Sequence, residues 1–146
     1  MTTKSSVETQ NFAKEFVSNL QKPTVVALSG ELGSGKTTFT QGVAASLGLK
    51  RRALSPTFVF WRSYKLSDSR FKNLEHFDLY RCESLQDVRS TGLSEVLERA
   101  DSLVLIEWPE IAKELLPTET VWVRFEKKGE NEREITTRVG GPKGNQ

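Results

Sequence analysis

Apolar positions recur along the chain with two different periods. Ala13, Phe16, Val17 and Leu20 stand at helical spacing, which gives one helix face to a core. Ser5-x-x-Glu8 ahead of them forms a capping box, because a Ser hydroxyl and a Glu carboxylate can satisfy early helix N–H groups. Lys22-Pro23 closes that helix. Thr24–Leu28 is a short, β-branched, unbroken apolar run, the pattern of a strand buried on both faces. Helical spacing returns at Phe39, Val43, Ala44 and Leu47 and stops near Gly48.

Further along, residues 57–66 and 71–79 are rich in aromatic residues and predict two strands joined by the polar turn Ser67-Asp68-Ser69-Arg70. Two short helices are expected between Ser84 and Arg99. Leu103–Ile106 predicts a second buried strand, and Pro109–Leu115 a short helix with Pro in its first turn, where the missing N–H costs little. Val121–Phe125 and Arg133–Val139 read as closing strands. This alternation predicts an α/β domain with a mixed sheet. It spans residues 1–139, followed by a flexible C-terminal tail at 140–146.

Composition narrows the picture without deciding it. A chain of 146 residues suits one domain with a real core. Its net charge of +2 is too small to argue for nucleic acid by itself. Lys50-Arg51-Arg52 reads as a solvated loop face. The single cysteine, Cys82, allows no internal disulfide, which fits a reducing cytoplasm. The start, MTTKSSVETQ, lacks the apolar run of a signal peptide, and no apolar stretch is long enough to span a bilayer. The expectation is a cytoplasmic protein.

Candidate chemistry enters with SGELGSGKTTFTQG. Gly30-x-x-x-x-Gly35-Lys36-Thr37 matches the P-loop pattern at every fixed position. It lies between a predicted buried strand and an amphipathic helix, which gathers backbone N–H groups and a positive helix terminus around one anion. Gly30, Gly33 and Gly35 permit close backbone approach to phosphate, and Ser34 lies among them. Lys36 can reach the β- and γ-phosphates, the Thr37 hydroxyl can ligate Mg²⁺, and Thr38 can add a contact near the α-phosphate. The expected fold sharpens to a P-loop NTPase-like three-layer domain with a mixed, mostly parallel central sheet, binding a nucleotide with Mg²⁺.

Such a site also needs carboxylates. Leu103–Glu107 is a Walker B-like element, an apolar strand ending in an acid. Glu107 is placed to hold Mg²⁺ directly, to hold it through water, or to orient the attacking water. Asp78, in His76-Phe77-Asp78-Leu79-Tyr80-Arg81, is a second candidate that could complete the metal shell. His76 is the only histidine and reads as a hydrogen-bonded structural residue. Thr57, in Ser55-Pro56-Thr57-Phe58, occupies a switch-like place, although a Ser-Pro turn opening a strand explains the segment too. Trp61, Trp108 and Trp122 are core or partner-facing aromatics, and Trp108 adjoins the proposed catalytic acid.

SGELGSGKTTFTQG, SPTF, HFDLYR and LIEWP, in this order and spacing, resemble the TsaE family of bacterial P-loop ATPases over nearly the whole chain. The resemblance implies an ATP-binding, ATP-hydrolysing component in the synthesis of N6-threonylcarbamoyladenosine, next to the anticodon of tRNAs that read codons beginning with A. It implies the partner proteins TsaB and TsaD, contact with tRNA through their complex, and hydrolysis that resets the complex between turnovers. It makes Lys36 and Thr37 the phosphate and magnesium residues, assigns Asp78 and Glu107 to metal and hydrolysis, and puts Thr57 in the switch-like segment. It also sets Trp108 in the nucleotide environment and brings Thr9 toward the adenine. No arginine finger is marked, which fits slow hydrolysis by the chain alone. The competing readings are a small-molecule kinase of P-loop type, with Arg81, Arg89 and Arg99 in its lid, and a nucleotide-gated binding module.

Overall fold

The computed structural model describes residues 1–49 and 60–140. Lys50-Arg51-Arg52, the Ser55–Phe58 segment with Thr57, the start of the predicted 57–66 strand and the tail beyond Gly140 lie outside the described residues. The elements run in the order β1 (Thr2–Thr3), α1 (Ser6–Ser18), β2 (Thr24–Ser29), α2 (Lys36–Ser46), β3 (Trp61–Lys65), β4 (Asn73–Asp78), α3 (Leu85–Ser90), α4 (Leu93–Arg99), β5 (Leu103–Glu107), a 3₁₀ helix (Pro109–Leu115), β6 (Val121–Lys127) and β7 (Arg133–Val139).

One sheet carries all seven strands in the order β1-β7-β6-β2-β5-β4-β3. The central four, β6, β2, β5 and β4, are mutually parallel. Antiparallel partners close both sides, β3 against β4 and β7 against β6, with β1 beyond β7. The parallel strands are the ones that read as apolar runs, because both their faces are covered. α1 and α2 pack on one face, where Ala13, Val17, Phe39 and Val43 meet Val26, Leu28, Leu105 and Val123. α3, α4 and the 3₁₀ helix cover the other, where Val88, Leu93, Val96 and Ala112 meet Phe77, Val104 and Ile106. The three-layer arrangement is therefore present.

Local signals explain most boundaries. The Ser5 hydroxyl accepts from the Glu8 N–H at 3.1 Å, as a capping box requires, but the Glu8 carboxylate accepts from Lys4 at 2.7 Å rather than from Ser5. α1 stops at Ser18 with Asn19 as its cap, ahead of the predicted stop at Lys22-Pro23. α2 ends in a Schellman motif: Gly48, at φ 82°, and Leu49 donate to the Ala45 and Ala44 carbonyls. Phe39 fixes α2 to the core, with ring centroids 5.6 Å from Phe16 and 5.4 Å from Phe125, both edge-on. β1 has no pattern in the sequence: it is two residues long and exists only because Thr2 and Thr3 pair with Glu134 and Arg133.

Candidate active site

The P-loop joins the C-terminal end of β2 to the first turn of α2. Gly30 sits at φ 145°, and a Cβ there would lie 2.6 Å from the Phe125 carbonyl oxygen and 2.7 Å from Ser34 Oγ. Only glycine fits that approach. Gly35 caps α2 at φ 114° without any side-chain hydrogen bond to the helix end, so the first N–H groups stay available to an anion. A cavity of about 170 Å³ opens here, lined by Gly33, Gly35, Lys36, Thr37, Thr38, Glu107 and Arg133. Four side chains that the sequence singles out thus share one wall with the loop backbone.

Lys36 is 4% exposed. Its ammonium donates to the Gly30 carbonyl at 2.6 Å and lies 3.6 Å from the centroid of the Trp108 ring. Burial pushes its pKa below the ordinary lysine value, opposed by the negative charges of Glu107, Glu110 and Asp78. Trp108 adopts φ 56°, ψ 55°, a left-handed conformation that costs a non-glycine residue about 1–3 kcal/mol. That backbone turn lies between Glu107 and the 3₁₀ helix and presents the indole to Lys36, with Tyr80 against it at 5.1 Å.

The acids arrive by strand register. Leu28, Glu107 and Asp78 pair across β2, β5 and β4. His76, Asp78, Leu105 and Glu107 occupy alternate positions on the sheet face that carries α1 and α2. Glu107 is 5% exposed, and its Oε2 lies 2.7 Å from His76 Nε2. Asp78 Oδ1 accepts from the Tyr80 N–H at 3.0 Å. Burial raises the Asp78 pKa above the usual aspartate value, and the neighbouring Glu107 charge adds to the rise.

Two residues at the site carry no sequence signal. Arg133, the first residue of β7, reaches the loop and donates to the Gly33 carbonyl at 3.0 Å. Its place is set by sheet pairing far along the chain. Glu110 accepts from Ser29 Oγ at 2.8 Å and adds negative charge near Lys36. Thr9 is buried, its hydroxyl 2.7 Å from that of Thr3, and Thr3 pairs with Arg133. Thr9 is not among the residues lining the P-loop cavity. Thr57 lies outside the described residues. A cavity of about 420 Å³ borders the other side of the loop at Gly30, Ser34, Trp108 and Glu110, and one of about 480 Å³ lies elsewhere, at the opposite end of the parallel strands beside Pro23, Val25, Leu97 and Pro117. The latter holds none of these groups, and the chemistry argues for the smallest of the three.

Comparison with known proteins gives a consistent answer. The family described as "Threonylcarbamoyl adenosine biosynthesis protein TsaE" matches residues 3–135. The chain is 37% identical to the tRNA threonylcarbamoyladenosine biosynthesis protein TsaE of Rickettsia typhi, covering 90% of this chain and 89% of that one. It is likewise 37% identical to the Bacillus subtilis protein of the same name, covering 91% and 81%. The solved structure of YdiB from Bacillus subtilis superposes with a TM-score of 0.72 at 30% identity, covering 98% of this chain and 86% of that one.

Proposed function

The chain belongs to the TsaE family, and from that premise we propose that it is the ATP-binding and ATP-hydrolysing component of the machinery making N6-threonylcarbamoyladenosine in tRNA. The tRNAs are those that read codons beginning with A. It acts with TsaB and TsaD, meets tRNA through their complex, and resets that complex between turnovers. The observation that carries this reading is the convergence of Lys36, Thr37 and Glu107 on the open N-terminal end of α2.

The donor set suits magnesium. That ion takes oxygen ligands, one or two carboxylates together with substrate phosphates, rather than a protein cage. Among the described residues no cluster of three or more His, Cys, Asp or Glu forms such a cage. Thr37 and Glu107 line the cradle instead, with Asp78 paired to Glu107 on the next strand. A Mg²⁺ ion held there would neutralise charge on the phosphate chain. Lys36 exchanges the Gly30 carbonyl for phosphate oxygen, and the N–H groups at the start of α2 hold the phosphate chain. Glu107 would hold the metal, and Asp78, beside it on the next strand, would orient the attacking water.

Two of the three lid arginines that a kinase reading needs are engaged elsewhere. Arg99 pairs with the buried Glu75 at 3.2 Å, and Arg81 stacks over Phe60. Hydrolysis by the chain alone is expected to be slow, with a partner completing the site. No helix among the described residues is long and apolar enough to cross a membrane.

Reconstitution tests the proposal: purified chain, TsaB, TsaD, tRNA and an activated threonylcarbamoyl donor, with ATP or a non-hydrolysable analogue. Multiple turnovers are expected only with the chain and hydrolysable ATP. Sustained modification without either one refutes the role.

A further inference from the structure

We propose that His76 is a positioning residue for Glu107, holding that carboxylate in one orientation so that a divalent cation meets a preset oxygen. The consequence rests on the ATPase reading above, while the premise is geometric.

His76 is 1% exposed in the middle of β4, and Glu107 is the last residue of β5, its parallel neighbour. The two side chains lie on the same sheet face two positions out of register, because His76 pairs with Leu105. Nε2 therefore reaches Glu107 Oε2 at 2.7 Å without leaving the face. An ionised carboxylate only accepts, so the proton of this bond is on Nε2. Nδ1 is buried and has no hydrogen-bond partner among the described residues. A histidine kept purely for the core would be expected to satisfy both ring nitrogens. Among the described residues this ring leaves Nδ1 unpartnered and bonds only a site carboxylate.

What Glu107 gains is restraint. A glutamate at the end of a strand has three rotatable torsions, and no other side chain among the described residues bonds its carboxylate. The bond to His76 uses Oε2 and leaves Oε1 for the cradle that Glu107 lines with Thr37. Outer partners of metal-binding carboxylates set ligand orientation in this way, and their loss typically costs about 10–100-fold in metal affinity or activity. His76 acts through Glu107 and does not itself touch the nucleotide.

The test measures metal uptake rather than turnover. Mn²⁺ binding is followed by electron paramagnetic resonance with a non-hydrolysable ATP analogue, for wild type, His76→Leu and His76→Gln. His76→Leu removes the donor at similar volume and is expected to weaken Mn²⁺ binding about tenfold, with metal-free nucleotide affinity unchanged. His76→Gln places an N–H near the Nε2 position and is expected to recover most of that loss. Wild-type affinity in His76→Leu, or no recovery in a folded His76→Gln, overturns the inference. Should His76→Leu fail to fold, the ring decides. The chain has one histidine, so ¹⁵N-histidine labelling reports a single imidazole, expected as the Nε2–H tautomer and shifted by Mg²⁺ with the analogue. An Nδ1–H tautomer, or no response, overturns it. Wild type that takes up no Mn²⁺ with nucleotide removes the ATPase reading and this inference together, whereas failure confined to the variants removes the inference alone.

Discussion

The Lys36 ammonium is held between two groups of its own chain, 2.6 Å from the Gly30 carbonyl oxygen and 3.6 Å from the Trp108 ring centroid. On the proposed reading, this lysine gives up the carbonyl for phosphate and shifts against the ring. The indole consequently reports on occupancy. Adding Mg²⁺ and ATP is expected to change tryptophan emission, and Trp108→Phe is expected to remove most of that change. Retention of the full response in Trp108→Phe would assign it to Trp61 or Trp122 instead.

Glu107→Gln keeps the length of the side chain and the bond to His76 but loses the charge. Hydrolysis is expected to fall by about 10²-fold or more, with nucleotide binding within about tenfold of wild type. Phosphate release and calorimetric titration separate the two effects.

Arg133 contributes a guanidinium to the cradle wall through the Gly33 carbonyl. Arg133→Ala is expected to weaken nucleotide binding about tenfold, the scale of one charge-assisted hydrogen bond. Arg133→Lys should recover little, because an ammonium lacks the planar fork. Titration with ADP and ATP checks both.

Much of this site is legible in the sequence, and the part that is not has a common cause. Gly30 to Thr37 announces itself because its conformation is local, and Leu103–Glu107 because a doubly buried strand must be apolar. The helix over Pro109–Leu115 is read correctly in extent, yet it forms as 3₁₀. Arg133 and β1 escape because each acquires its place from pairing across the sheet, and Glu110 because only the fold brings its helix to Ser29. His76 reads as an ordinary hydrogen-bonded residue, since only the β4–β5 register reveals which acid it bonds.

Gly42 escapes for a similar reason. It sits in α2, where a Cβ would lie 2.9 Å from Ala13 Cβ, Gln10 Cα and the Gln10 carbonyl oxygen. In isolation Gly42→Ala favours helix by about 1 kcal/mol. In this fold it is expected to destabilise by about 1–3 kcal/mol through overpacking against the α1 backbone. Urea denaturation gives the sign directly.

A pH effect follows from the turn between β3 and β4. Arg70 donates to both Asp68 carboxylate oxygens, at 3.1 and 3.0 Å, and to the Val17 and Leu20 carbonyls, each at 2.8 Å. The side-chain bond to Arg70 is the main reason that the Asp68 pKa lies below the ordinary aspartate value. A carboxyl with a lowered folded-state pKa stabilises fully above its unfolded value and loses that stabilisation as pH falls through the folded one. Asp68→Asn is expected to melt below wild type at neutral pH, with the gap narrowing below about pH 4. Melting temperatures across pH check the trend.

The pairing of Leu28, Glu107 and Asp78 across three strands also determines where the chain tolerates changes in length. The separation of the two acids is ruled by peptide hydrogen bonds, so conservative exchanges at Leu103 or Leu105 leave it intact. Inserting one residue inside β5 reverses its alternation. Glu107 then points toward Val88 and Leu93, and Ile106 toward the cradle, with composition almost unaltered. Insertions are therefore expected to be tolerated in turns, such as residues 67–70 and 128–132, and not in the interior of β5.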